Sequence, residues 1–105
     1  MVTNILDAAG IKYRRSRFPS PPEETYAVYT DNVETDGADG LNLMDHHSVT
    51  VEVYEPAPDD AAEAAIEAAM DDYGLTWIKQ DRYWLQDTQR YQVVYEFEHI
   101  TKRRA

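Results

Sequence analysis

Cysteine is absent from the sequence, which excludes a disulfide scaffold, a thiolate metal site and a cysteine nucleophile together and makes a reducing cytosol the expected setting. Long apolar runs are absent too. No stretch of 18 apolar residues exists for a membrane span, and Met1 to Asp7 have neither the basic start nor the hydrophobic run of a secretory leader. A soluble chain with no membrane contact is expected. A Gly-rich phosphate loop, a Ser-His-Asp spacing and a zinc motif are likewise missing. The sequence therefore predicts a protein that works by binding and assembly rather than by catalysis, with no cofactor.

Cations are scarce away from the ends. The formal charge is -10, yet residues 18 to 101 hold only Lys79, Arg82 and Arg90 against nineteen carboxylates, a balance of -16. Such a body repels polyanions, so direct sequence-specific nucleic-acid binding is not expected. The other seven basic residues form two clusters, Lys12, Arg14, Arg15 and Arg17, then Lys102, Arg103 and Arg104. These are either solvated ends or groups that meet an acidic face of another copy or partner. What is plentiful is core material: 43% of the 105 residues are hydrophobic and 11% aromatic. A chain of this size and composition folds as one domain around one core, despite a mean hydropathy of -0.66.

Periodicity supplies the elements. Thr3 is placed to cap a short helix over Asn4 to Ala9, with Ile5, Leu6 and Ala9 on its apolar face and Gly10 as its stop. Pro19, Pro21 and Pro22 make residues 18 to 25 a stiff, extended connector. Tyr26 to Thr30 reads as the first strand, and residues 31 to 47 as a long loop or irregular hairpin arm with turn signals at Asp36-Gly37 and Asp39-Gly40. Val49, Val51 and Val53 alternate with Thr50 and Glu52, the most distinct strand pattern in the chain. Pro56 and Pro58 end it. Asp59 or Asp60 then caps the main helix, with Asp60 and Glu63 spaced as a capping box; Ala62, Ala65, Ile66, Ala69, Met70 and Tyr73 form its buried stripe and Gly74 its stop. Leu75 to Leu85 and Arg90 to Ile100 read as two strands joined by residues 86 to 89, with Tyr91, Val93, Tyr95 and Phe97 sharing one face. The predicted fold is α+β: a mixed or antiparallel sheet of about four strands, one main helix packed across it and a short N-terminal helix.

Chemical constellations are weak. Asn32, Glu34 and Asp36 stand before Gly37 as in a calcium loop, but Leu43 occupies the position where a bidentate Glu is needed. Asp45, His46 and His47, with Asp39 or His99, have the chemistry of a metal site. Adjacent residues on a strand point oppositely, however, so one histidine is expected at the core edge and the other in water. Glu63, Glu67, Asp71 and Asp72 read as a solvated helix face. Aromatics on both faces of Tyr26 to Tyr29 and Tyr83-Trp84 leave rings exposed, and a sheet with two open edges offers pairing to another copy.

Taken in order, Pro21-Pro22, Tyr26-Ala27-Val28-Tyr29, Asp36-Gly37-Ala38-Asp39, the strand His47 to Tyr54, Asp72-Tyr73-Gly74-Leu75 and Tyr91 to Phe97 give the chain a resemblance to the tail-completion or tail-terminator (head-tail joining) proteins of tailed bacteriophages and prophages. The resemblance covers most of the chain. It implies a structural protein without catalytic, metal or cofactor residues that forms a homo-oligomeric ring, commonly a hexamer. Such a ring caps the tail tube protein and meets the head-tail connector proteins, in the virion at the head-tail junction after assembly in the host cytoplasm. The candidate interface residues are Arg14, Arg15, Arg17, Asp36, Asp39, Leu41, Leu43, Met44, Arg103 and Arg104. The alternatives are another phage structural role, such as head completion or a minor capsid protein, or an acidic mimic that binds a basic protein through Glu63, Glu67 and Asp71.

Overall fold

The computed structural model describes residues 1–37 and 44–102. Its elements are α1 (Val2–Ala9), β1 (Lys12–Arg15), β2 (Tyr26–Asp36), β3 (Met44–Glu55), α2 (Asp60–Asp72), β4 (Trp77–Lys79), β5 (Tyr83–Leu85) and β6 (Arg90–Lys102). The class is α+β, as expected, but among the described residues the sheet has six strands where about four were expected. Their order is β1-β2-β3-β6-β4, with β5 also on β6. β1 runs parallel to β2, and the other pairs are antiparallel.

The extra strands have local causes. β1 is a basic edge strand, mostly exposed, so it lacks the apolar alternation that marks a half-buried strand. The segment expected as one strand from Leu75 splits into β4 and β5, which take successive parts of one β6 edge. Residues 31 to 36 and 44 to 47, expected as part of a long loop or irregular hairpin arm, take the second form and continue β2 and β3 in unbroken register, Asp31 opposite Val49 and Asp36 opposite Met44.

α1 starts at Val2 with Met1 at its N-cap and no side-chain cap, so Thr3 is not the cap; Gly10 ends it at φ 71°, a left-handed conformation that favours glycine. On α2 the Asp59 carboxylate accepts the Ala62 N–H at 3.1 Å. With the cap at Asp59, the Asp60–Glu63 capping box does not form. The buried stripe is Ile66, Ala69 and Met70 with Glu63, while Tyr73 is 45% exposed.

Both helices lie on one face of the sheet, where Ile5, Leu6, Ile66 and Met70 pack with Ala27, Val49, Val51, Val53, Val93, Tyr95 and Phe97. That layer is short. A 13-residue helix reaches about 20 Å, whereas strands of 11 to 13 residues reach about 40 Å, and the long axis of the molecule is 49 Å. Half of β2, β3 and β6 therefore projects beyond the helices.

The proline-rich connector crosses the opposite face. Phe18 meets Tyr26 edge-on at 5.4 Å and Tyr26 stacks on Tyr54 at 5.0 Å. Arg90 lies 5.4 Å from the Tyr26 ring and donates to the carbonyls of Pro22 and Glu23 at 2.9 and 3.0 Å. One side chain thus ties connector to sheet. Arg90→Ala should cost about 1–2 kcal/mol through two lost hydrogen bonds and a cation–π contact, and should speed tryptic cleavage after Arg17. Unchanged proteolysis would show that the connector holds without it.

Candidate assembly interface

The projecting part of the sheet is a three-stranded arm of β2, β3 and β6. β1 ends its pairing at Tyr29 and β4 at Phe97. Beyond those points no further strand lies on either side of the arm among the described residues. Its helix-side face carries a polar cluster. His47 and His99 stack at 4.3 Å with planes 5° apart. His47 Nδ1 donates to the Asp31 carboxylate at 3.0 Å, and its Nε2 lies 2.9 Å from the Thr101 hydroxyl. Burial, then the neighbouring His47, hold the His99 imidazole below its ordinary pKa. His99 Nδ1 is buried with no hydrogen-bond partner among the described residues. On the other face His46 is exposed, 3.7 Å from Asp36. The two histidines point oppositely, as expected. Among the described residues no group of three or more His, Asp or Glu is placed to hold a metal ion.

At the opposite end, a charged network lies between α2 and the sheet. Glu55 is fully buried and Glu63 nearly so. Arg82 contacts Glu63 at 2.7 Å, Asp60 at 3.4 Å and Glu55 at 3.5 Å; Lys79 bridges Glu63 and Glu67, each at 2.8 Å. The Tyr95 hydroxyl donates to Glu67 at 2.7 Å, and burial followed by that carboxylate raises its pKa. Burial first, then the hydrogen bond shared with Glu63, pushes the Glu55 carboxyl up to about 7. For Glu63 burial also acts upward, but the bonds with Glu55, Lys79 and Arg82 outweigh it and hold the group at about 2. Glu63 and Glu67, expected as a solvated face, are thus turned inward. The cations that make this tolerable come from beyond the helix, a link that helical periodicity does not reveal. With salt bridges at its rim and a protonatable carboxyl at its centre, the network serves to fasten α2.

No family model and no curated protein matches the sequence. Among solved structures, a chain of the virion of a native gene transfer agent (GTA) particle matches with a TM-score of 0.63 at 16% identity, covering 94% of this chain and 84% of that one. The two chains share a fold. The likeness spans nearly the whole length, so the arm, sheet and helices are compared together rather than one common motif.

The candidate interface residues that lie among the described residues fall in two places on this fold. Arg14 and Arg15 lie exposed on β1, with Arg17 just beyond it; the Arg14 guanidinium sits 5.0 Å over the Phe18 ring. They share the helix-covered end. Asp36 and Met44 face each other at the arm's far end, and Met44 also opposes Lys102. Asp39, Leu41, Leu43, Arg103 and Arg104 lie outside the described residues. Asp31, His99 and Thr101 were not among the interface candidates; their one sequence signal is polar residues at alternate positions of a strand, where a covered sheet would show apolar ones. Tyr83 and Trp84 are exposed, as expected, but Tyr26 is buried under the connector.

Proposed function

We propose that this chain is a structural component of a phage-like virion, acting by assembly and not by catalysis. In the finer form of the reading it is a tail terminator: a ring that caps the tail tube protein and meets the head-tail connector proteins at the head-tail junction. The observation that carries the proposal is the fold shared along 94% of the chain with a gene transfer agent virion chain. The uncovered arm adds support, because strands left without a helix layer present surface that a neighbour would cover. The acidic-mimic alternative keeps its motive in the -16 body, but the carboxylates expected to do its binding are engaged within the chain, Glu63 and Glu67 by Lys79 and Asp71 by the Trp77 indole N–H at 2.9 Å.

The test is light scattering coupled to size exclusion over a concentration series, followed by electron microscopy of the protein mixed with purified tail tubes. Rings of defined number bound at tube ends are the expected result. A protein that remains monomeric at all concentrations and ignores the tubes would remove the terminator reading, and label found on capsids instead would move the protein to a head role.

A further inference from the structure

The arm has two edges of different chemistry, and its backbone shows which groups they offer. The Tyr29 carbonyl accepts the Ser16 N–H on the β1 side, so by strand alternation Asp31 and Val33 also turn their N–H and C=O outward. On β6 the Val94 carbonyl accepts the Gln80 N–H on the β4 side, which by the same alternation turns Ile100 and Lys102 outward. These groups lie past the ends of β1 and β4. Exposed edges are commonly blunted by proline, lysine or a bulge. Residues 30 to 36 contain no proline, lysine or glycine, and their pairing with β3 runs without a bulge.

Resting on the ring reading above, we infer that neighbouring copies join by strand pairing on this arm, the outer edge of β2 in one copy against the outer edge of β6 in the next. Charge decides the combination. The β2 edge carries Asp31, Glu34 and Asp36 and no cation, while the β6 edge past β4 carries one carboxylate, Glu98, and ends in Lys102, followed in sequence by Arg103 and Arg104. A two-fold contact of β2 with β2 sets carboxylates against carboxylates, whereas β2 against β6 sets Lys102 against Asp36 and places Glu98 opposite the neutral Asn32. Such a head-to-tail contact builds rings where its rotation closes, and never a two-fold dimer. Direction agrees. β2 and β6 both run antiparallel to β3, and Asp36 and Lys102 both oppose Met44. Rotation about an axis along the strands therefore brings the two edges together in parallel and at one level, with Lys102 beside the neighbour's Asp36. Val33 and Ile100, 46% and 55% exposed, gain cover at the same joint.

Val33→Pro and Ile100→Pro each remove one outward N–H and no bond of the chain's own ladder. Circular dichroism should report both variants as folded. Light scattering should report both as monomers at concentrations where the parent just forms rings, the assembly midpoint rising about tenfold as the edge bond is lost. Mixing the two is the decisive arm, because one variant keeps an intact β6 edge and the other an intact β2 edge. Heterodimers are expected from the mixture and from neither variant alone. Should a proline unfold the chain, Lys102→Glu replaces it: a roughly tenfold weaker assembly, restored by adding Asp36→Lys. Parent rings that form equally well with both prolines, or dimers of one variant alone, overturn the edge pairing while leaving the ring standing. A parent chain that never assembles overturns both.

Discussion

Arg82→Ala should lower the unfolding free energy by about 2–4 kcal/mol at pH 8, and by clearly less at pH 5, in urea titrations at the two pH values. Removing the cation from a buried pair strands the charge it served, and Arg82 serves Glu63, Glu55 and Asp60 together; its own partial exposure keeps the loss below that of a fully buried ion. The pH contrast comes from Glu55. Its carboxyl ionises near the ordinary 4.5 in the unfolded chain and is pushed up to about 7 in the native one. Between those values the native state holds the extra proton, so stability falls as pH rises through that window. Glu63 acts in the opposite direction: held at about 2, its contribution is present above 4.5 and is lost as pH falls toward 2. The pair is therefore most favourable near pH 5, where one proton is shared, and depends most on Arg82 when both carboxyls are charged. Glu55→Gln mimics the protonated form, and its amide carbonyl retains an acceptor for the Asp59 N–H that now bonds Glu55. That variant should gain about 1–3 kcal/mol at pH 8 and lose the dependence between pH 5 and 8. Equal losses for Arg82→Ala at both pH values would show that Glu55 is ionised throughout.

Leu6→Ala should cost about 3 kcal/mol, measured by the same titration, because a fully buried leucine leaves both its transfer energy and a cavity behind. The loss has a second readout. α1 has only eight residues, too few to persist without its docking surface, and Val2, Ile5 and Leu6 are what it buries. Amide exchange in residues 2 to 9 should therefore rise toward unprotected rates while the β3–β6 ladder keeps its protection. Ala8→Ser, on the exposed side of the same helix, serves as the control and should stay within about 0.5 kcal/mol. A uniform rise in exchange across the sheet would mean that α1 belongs to the global unfolding unit.

How far the sequence disclosed this molecule depended on whether a segment has one wet face and one dry one. Val49, Val51 and Val53 alternate because helices cover one side of β3, and the stretch from the Asp59 cap to Gly74 repeats at helical spacing because α2 lies on that sheet. Past the helix layer the alternation fades. Residues 31 to 36 and 44 to 47 are strand without hydrophobic periodicity, since both their faces meet solvent, and for that reason they read as either a long loop or an irregular hairpin arm. Lys12 to Arg15 fails in the same way at an edge. The buried Glu55 and Glu63 were hidden differently: a carboxylate goes inside only when cations meet it, and Lys79 and Arg82 arrive from beyond the helix after the chain has reversed. Of the candidate interface residues, Asp36 and Met44 form the last described pair of the arm, next to the Asp36-Gly37 turn signal in the sequence. Val33 gave none, because an edge is a property of what fails to pair.

The arm also sets the hydrodynamic size of a single copy. The radius of gyration is 15.2 Å, whereas a compact chain of this length is expected near 13 Å, and one with the observed radius would have about 160 residues. A lone 12.1 kDa copy should therefore migrate on a sizing column between the positions of a compact monomer and a compact dimer. Elution volume would overstate its mass by about half, so stoichiometry must come from scattered light.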